Sequence, residues 1–149
     1  MSAAADNEAP LGHLNGGRRR TPEQLQIDAE QVSVEAVRLS IGEIATFLRQ
    51  HLGHGMTAYI SGVNDPRIVA RWIAGRNVPR NQPQIRLRES YQATRLLVSA
   101  YGDDTAKAWL FSSNARLGDQ APAYVLRNGT SWEDLRSVVP AARAFVNAP

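Results

Sequence analysis

The 149-residue sequence contains no cysteine, a single lysine (Lys107), three histidines and 7% aromatic residues. The lack of cysteine excludes disulfides, thiolate-ligated zinc, iron–sulfur clusters and thiol nucleophiles. His13, His51 and His54 make no metal-ligand array, so neither a metal nor a cofactor is expected. No apolar run approaches the ~20 residues that a membrane-spanning helix needs, so no membrane partner is expected. The stretch from Met1 to Glu8 lacks the basic and then apolar layout of a secretory signal. The expectation is a cytoplasmic protein, nucleoid-associated if it holds DNA. Hydrophobic residues at 43% and charged residues at 21% suffice for one ordinary domain, or two very small ones sharing a helix.

With lysine nearly absent, all but one of the 17 cations are arginine, and the formal net charge is a modest +3. Its distribution is uneven. Residues 1–66 carry five Arg against eight acids, and residues 67–100 carry seven Arg against Glu89 alone. Residues 101–149 balance five cations with five acids. No acid stands between Arg67 and Arg88. Such a focus of guanidinium is the footprint expected for phosphate contacts, which arginine makes through a planar, bidentate fork. A GC-rich genome and a solvated helix face would produce the same composition, so composition leaves both readings open.

Along the chain, residues 1–20 read as a disordered basic arm ending in Arg18, Arg19 and Arg20, which could track phosphates or remain solvated. Thr21-Pro22-Glu23-Gln24 is a helix start, with Thr as N-cap and Gln completing a capping box. The helix is expected to break near Val32–Val34 and resume in an amphipathic stretch, Ile41, Ile44, Ala45, Leu48 and Leu52, ended by Gly53. A short segment from Met56 leads to the turn Gly62-Val-Asn-Asp, and Asp65-Pro66 opens a helix that stops at Gly75. The longest helix is expected from Gln84 to Tyr101, then a helix capped by Asp103 or Asp104 and holding Trp109, Leu110 and Phe111 as core. A short helix at Pro122–Arg127 and a terminal one from Ser131, interrupted by Pro140, complete the chain. No strand-like alternation, repeat or heptad run is present. The predicted class is all-α: a helix-turn-helix bundle over 21–83, joined by a long helix to a small C-terminal helical domain over 84–149.

Residues 56–76 have the layout of a helix-turn-helix. Ile68, Val69, Trp72 and Ile73 form the face that locks onto the preceding helix, which leaves Arg67, Ala70, Arg71 and Ala74 outside on one slim, basic side. Such a side suits the major groove, where Arg pairs with guanine and Ala touches a thymine methyl. Arg76, Arg80, Arg86 and Arg88 follow in the exit loop and the next helix start, where backbone phosphates are the expected contacts. Gly62 stands one residue before the usual turn glycine, so either the turn is longer or Val63 occupies the bend. The expectation is sequence-specific binding of double-stranded DNA by a transcriptional repressor, as a monomer or as a homodimer. No catalytic constellation is visible: His51/His54 and Asp103/Asp104 sit at helix ends, and Ser112-Ser113 lacks a base. The chain is not expected to be an enzyme.

Two runs carry a family resemblance. Asp65-Pro-Arg-Ile-Val-Ala-Arg-Trp-Ile-Ala-Gly-Arg-Asn-Val-Pro79 resembles the helix-turn-helix of the Xre/MbcA/ParS-type antitoxins. Ala108-Trp-Leu-Phe-Ser-Ser-Asn-Ala-Arg-Leu-Gly-Asp-Gln-Ala-Pro-Ala-Tyr-Val-Leu126 is similar to their C-terminal toxin-binding domain, with Trp109, Asn114, Leu117, Pro122 and Leu126 at the motif positions. The resemblance implies a compact all-α fold and a partner, a toxin of the RES type that consumes NAD and is blocked when the antitoxin's C-terminal part covers its active site. A related helical arrangement serves a phage or prophage repressor, whose second domain binds DNA or dimerises. From the residues themselves, Trp109, Leu110, Phe111 and Leu117 read as core and Asn114 as a cap or turn former.

Overall fold

Several helix starts in this chain are set by side-chain caps, and the computed structural model, which describes residues 21–148, realises those expected at Thr21, Asp65 and Ser131. Arg18, Arg19 and Arg20 lie outside the described residues. Helix α1 (Pro22–Arg38) begins with the reciprocal Thr21–Gln24 box. It runs unbroken through Val32–Val34, where an interruption was expected. β-Branched residues cost only a few tenths of a kcal/mol each in a helix. Burial of Val32 and Ala36 outweighs that cost. The break comes instead at Leu39 and Ser40, both extended, because Ser40 and Glu43 form a second capping box that starts α2 (Ile41–Ile60). Hydrogen bonds from Ser40, the backbone N–H first, hold the Glu43 carboxyl below its usual range.

The helical backbone of α2 is interrupted at Gly53 (φ 85°, ψ 173°), where the sequence predicts an end, and a second helical stretch carries the element on to Ile60. Helix α3 (Pro66–Ile73) lies across the start of α2, so close that a Cβ on Gly42 would stand 3.0 Å from the Trp72 carbonyl. Helix α4 (Gln82–Tyr101) packs against α1, α2 and, further along the chain, α5 (Asp103–Leu110) and α8 (Val138–Asn147). Between α5 and α8 come a 3-10 turn (Ala115–Leu117), α6 (Pro122–Asn128) and α7 (Trp132–Arg136). The fold is all-α as predicted. Among the described residues one isolated bridge, Asn114 to Gln120, is the extent of β pairing.

Three terminal details differ from the sequence reading. Helix α5 takes Gly102, not Asp103 or Asp104, as its N-cap, with no side-chain bond. Asp103 is instead engaged by His51 of α2, Nδ1 to Oδ1 at 2.7 Å. The last helix is divided at Ser137, three residues before Pro140, which places the proline in the first turn of α8, where its missing N–H is harmless. Phe111, expected in the core, caps the end of α5 and is 40% exposed.

Among the described residues, one hydrophobic cluster runs through both predicted modules, from Leu48 and Trp72 to Leu97, Leu110, Leu126 and Val138. Polar links reinforce it. Tyr91 on α4 donates to Glu35 on α1 at 3.0 Å, and burial with this bond pushes its phenol up to about 12. Arg88 donates to the Ala36 carbonyl at 2.5 Å and the Leu39 carbonyl at 2.9 Å, closing the end of α1. Among the described residues no helix is long and apolar enough to cross a membrane.

Candidate nucleic-acid and partner interfaces

The α2–α3 turn explains the displaced glycine. Gly62 (φ 79°) donates to the Tyr59 carbonyl and Val63 to the Ala58 carbonyl, both at 3.1 Å. That pair of bonds is a Schellman ending, which needs left-handed backbone at the glycine. The turn is therefore the longer of the two alternatives, Ser61 to Asp65, with Gly62 itself at the bend. Gly75 (φ 78°) ends α3 in the same way, donating to Trp72 while Arg76 donates to Arg71. Both glycines were legible as helix stops.

Within α3, Val69 and Trp72 are buried, and Ile68 and Ile73 pack partly against the core. Arg67, Ala70, Arg71 and Ala74 all remain exposed, as the subtraction of the apolar face predicts. Arg76 and Arg80 are exposed in the loop behind them. Asp65 caps α3 through the Arg67 N–H at 2.9 Å, and its carboxylate also takes the Arg67 side chain: Nε at 3.1 and 2.9 Å, Nη2 at 2.8 Å. These bonds, the side-chain one first, hold the Asp65 carboxyl below its usual range and raise the Arg67 guanidinium. The sequence reading gave Asp65 the cap and not the pair. An acid two residues before an arginine across a helix start was the available signal.

The structure separates the remaining arginines. Arg86 and Arg88, read as phosphate contacts, are half-buried and turned into the fold. Arg86 donates to the Leu126 carbonyl at 2.6 Å and the Gly129 carbonyl at 3.1 Å, closing the end of α6. Burial and the nearby Arg127 charge lower its affinity for its proton. Arg127, which the sequence did not single out, reaches from α6 to the α2–α3 turn. It donates to the Tyr59 carbonyl at 2.9 Å, the Val63 carbonyl at 3.3 Å and the Asn64 side-chain oxygen at 2.7 Å, lying 4.8 Å over the Tyr59 ring.

Of the C-terminal motif, Trp109, Leu117, Pro122 and Leu126 are buried, so these side chains build the module rather than face a partner. Asn114 is a turn former: its side chain accepts from the Arg116 N–H at 2.9 Å, and its backbone closes a loop with Gln120 and Asp119. What the module does present is aromatic. Phe111, Tyr124 and Phe145 are each at least 39% exposed. Phe145 tilts against Trp109 and Tyr101 at the edge of a groove of about 640 Å³ between α5, the 112–116 loop and the end of α8.

Against proteins of known sequence, the chain is 39% identical over 64 residues to the mycobacterial cidal antitoxin MbcA of Mycobacterium bovis and of Mycobacterium tuberculosis. Its similarity is to an antitoxin. The matched stretch is 43% of this chain and spans 57% of the length of the MbcA antitoxins. No family profile matches the chain, and no solved structure matches it. The MbcA similarity supports the antitoxin part of the resemblance read from the sequence.

Proposed function

We propose that this chain is an antitoxin that binds and neutralises a protein toxin, of the RES type that consumes NAD, and acts through the face of its C-terminal module. The similarity to MbcA carries this reading. The exposed aromatics Phe111, Tyr124 and Phe145 support it, because aromatic side chains are enriched at protein interfaces. The chain itself needs no catalytic group for this role. The test is co-purification of the full-length chain with the product of the adjacent reading frame. A stable complex with loss of NAD consumption is expected; absence of a complex, with both proteins folded, overturns the reading.

A second activity is favoured by one specific observation, the exposed Arg67–Ala70–Arg71–Ala74 side of α3 with Arg76 and Arg80 behind it. We infer sequence-specific binding of duplex DNA with residues 66–74 in the major groove, through which the chain represses its own operon. Affinity for the promoter duplex should fall steeply with salt, because arginine–phosphate contacts release counterions. Arg80→Ala should reduce the salt slope by about one. Arg71→Ala should weaken the selected site by about tenfold or more, as loss of a bidentate base contact does. A flat salt response, or unchanged binding by Arg71→Ala, would contradict this activity.

A further inference from the structure

Arg67 stands on the exposed face of α3 with 86% of its side chain accessible. Yet it is held. A guanidinium has two bidentate edges, one made by Nε with one terminal nitrogen and one made by the two terminal nitrogens. Asp65 sits on the first edge, with Nε donating to both carboxylate oxygens and Nη2 paired with Oδ2 at 2.8 Å. The second edge, pointing away from the carboxylate, stays open as a flat two-donor fork. Asp65 is itself fixed, because the same carboxylate accepts the Arg67 N–H as the N-cap of α3. The backbone of α3 therefore sets the direction of the fork. The Arg71 charge, four residues on, adds to the field that keeps this carboxyl ionised.

We propose that Asp65 is a specificity-determining positioning residue, which aims the free edge of Arg67 at the O6 and N7 acceptors of a guanine in duplex DNA. The inference rests on the DNA-binding activity proposed above and names the base that activity reads. Guanine presents two adjacent acceptors in the major groove that match a guanidinium fork; adenine replaces one of them with a donor. An unpaired arginine at this place would serve phosphates and bases alike. A carboxylate on a DNA-facing surface repels phosphates, so Asp65 lowers non-specific affinity while restricting Arg67 to one direction. Ordering the long side chain before DNA arrives also removes an entropic cost of binding.

The experiment selects duplexes from a library with a randomised core, using the full-length chain, and then titrates the selected duplex. Wild type should enrich a site with a required guanine. Replacing that guanine by 7-deazaguanine, which lacks N7, should weaken binding by about tenfold. Asp65→Ser retains an N-cap but is too short to hold the Arg67 side chain. It should bind the 7-deazaguanine and guanine duplexes within about twofold of each other, while non-selected duplex is bound as well or better and the salt slope is kept. Arg67→Lys, without a planar fork, should show the same loss of discrimination. Circular dichroism on both variants checks that α3 is intact. Undiminished guanine preference in folded Asp65→Ser overturns the proposal and leaves DNA binding standing. Failure of wild type to enrich any duplex overturns both.

Discussion

Leu126→Ala is expected to destabilise the protein by about 2–5 kcal/mol, the cost of a cavity in a close-packed core. Leu126 is fully buried in α6, in the same cluster as Leu48, Trp72 and Val138 from elsewhere in the chain. Urea denaturation should record the loss, together with a fall in Tm on the order of 10 °C. The variant also separates two roles for the C-terminal motif. If Leu126 builds the module, the folded fraction should still capture the toxin with near wild-type affinity under conditions where the fold persists. Wild-type stability combined with lost capture would make Leu126 a contact residue instead, against its complete burial.

The second large effect is expected at Arg127. Its guanidinium serves two carbonyls and the Asn64 amide across a sequence separation of more than 60 residues. Arg127→Ala leaves those acceptors to water or to nothing and removes the cation over the Tyr59 ring. Hydrogen bonds to a charged donor contribute about 1.5–3 kcal/mol, which sets the expected loss. Lysine, with a point charge in place of a fork, should recover only part of it. Amide exchange should quicken in the Ser61–Asp65 turn and the first turn of α3, because the tie between α6 and that turn is gone. Unchanged exchange there, with unchanged stability, would show that the turn is held by its Schellman bonds alone.

Much of the architecture could be read because it is set by neighbours in sequence. Thr21, Asp65 and Ser131 cap the helices predicted for them. Ile41, Ile44, Ala45, Leu48 and Leu52 are all buried, as their three- and four-residue steps require. The exposed side of α3 followed from subtracting its apolar residues. What escaped depends on distant parts of the chain. Arg86 and Arg88 read as phosphate contacts and Arg127 was not singled out, and the carbonyls these three serve lie 40 or more residues away along the chain. Phe111 looked like core because Trp109 and Leu110 are core; it is the C-cap just past α5, where the backbone leaves the helix (φ −108°, ψ 15°) and the helical spacing no longer applies. His51 and Asp103, each read as belonging to its own helix end, meet each other. Local caps and periodicity are visible in one dimension, whereas side chains that close helix ends from afar leave no spacing to detect.

The central claim is neutralisation of a toxin, and the most direct test is a titration of NAD consumption. The product of the adjacent reading frame, assayed alone, should consume NAD. Adding the full-length chain should abolish that activity with an end point at a fixed, simple stoichiometry, and the proteins should co-elute at that ratio. A toxin that keeps consuming NAD at saturating concentrations of the folded chain would contradict the account.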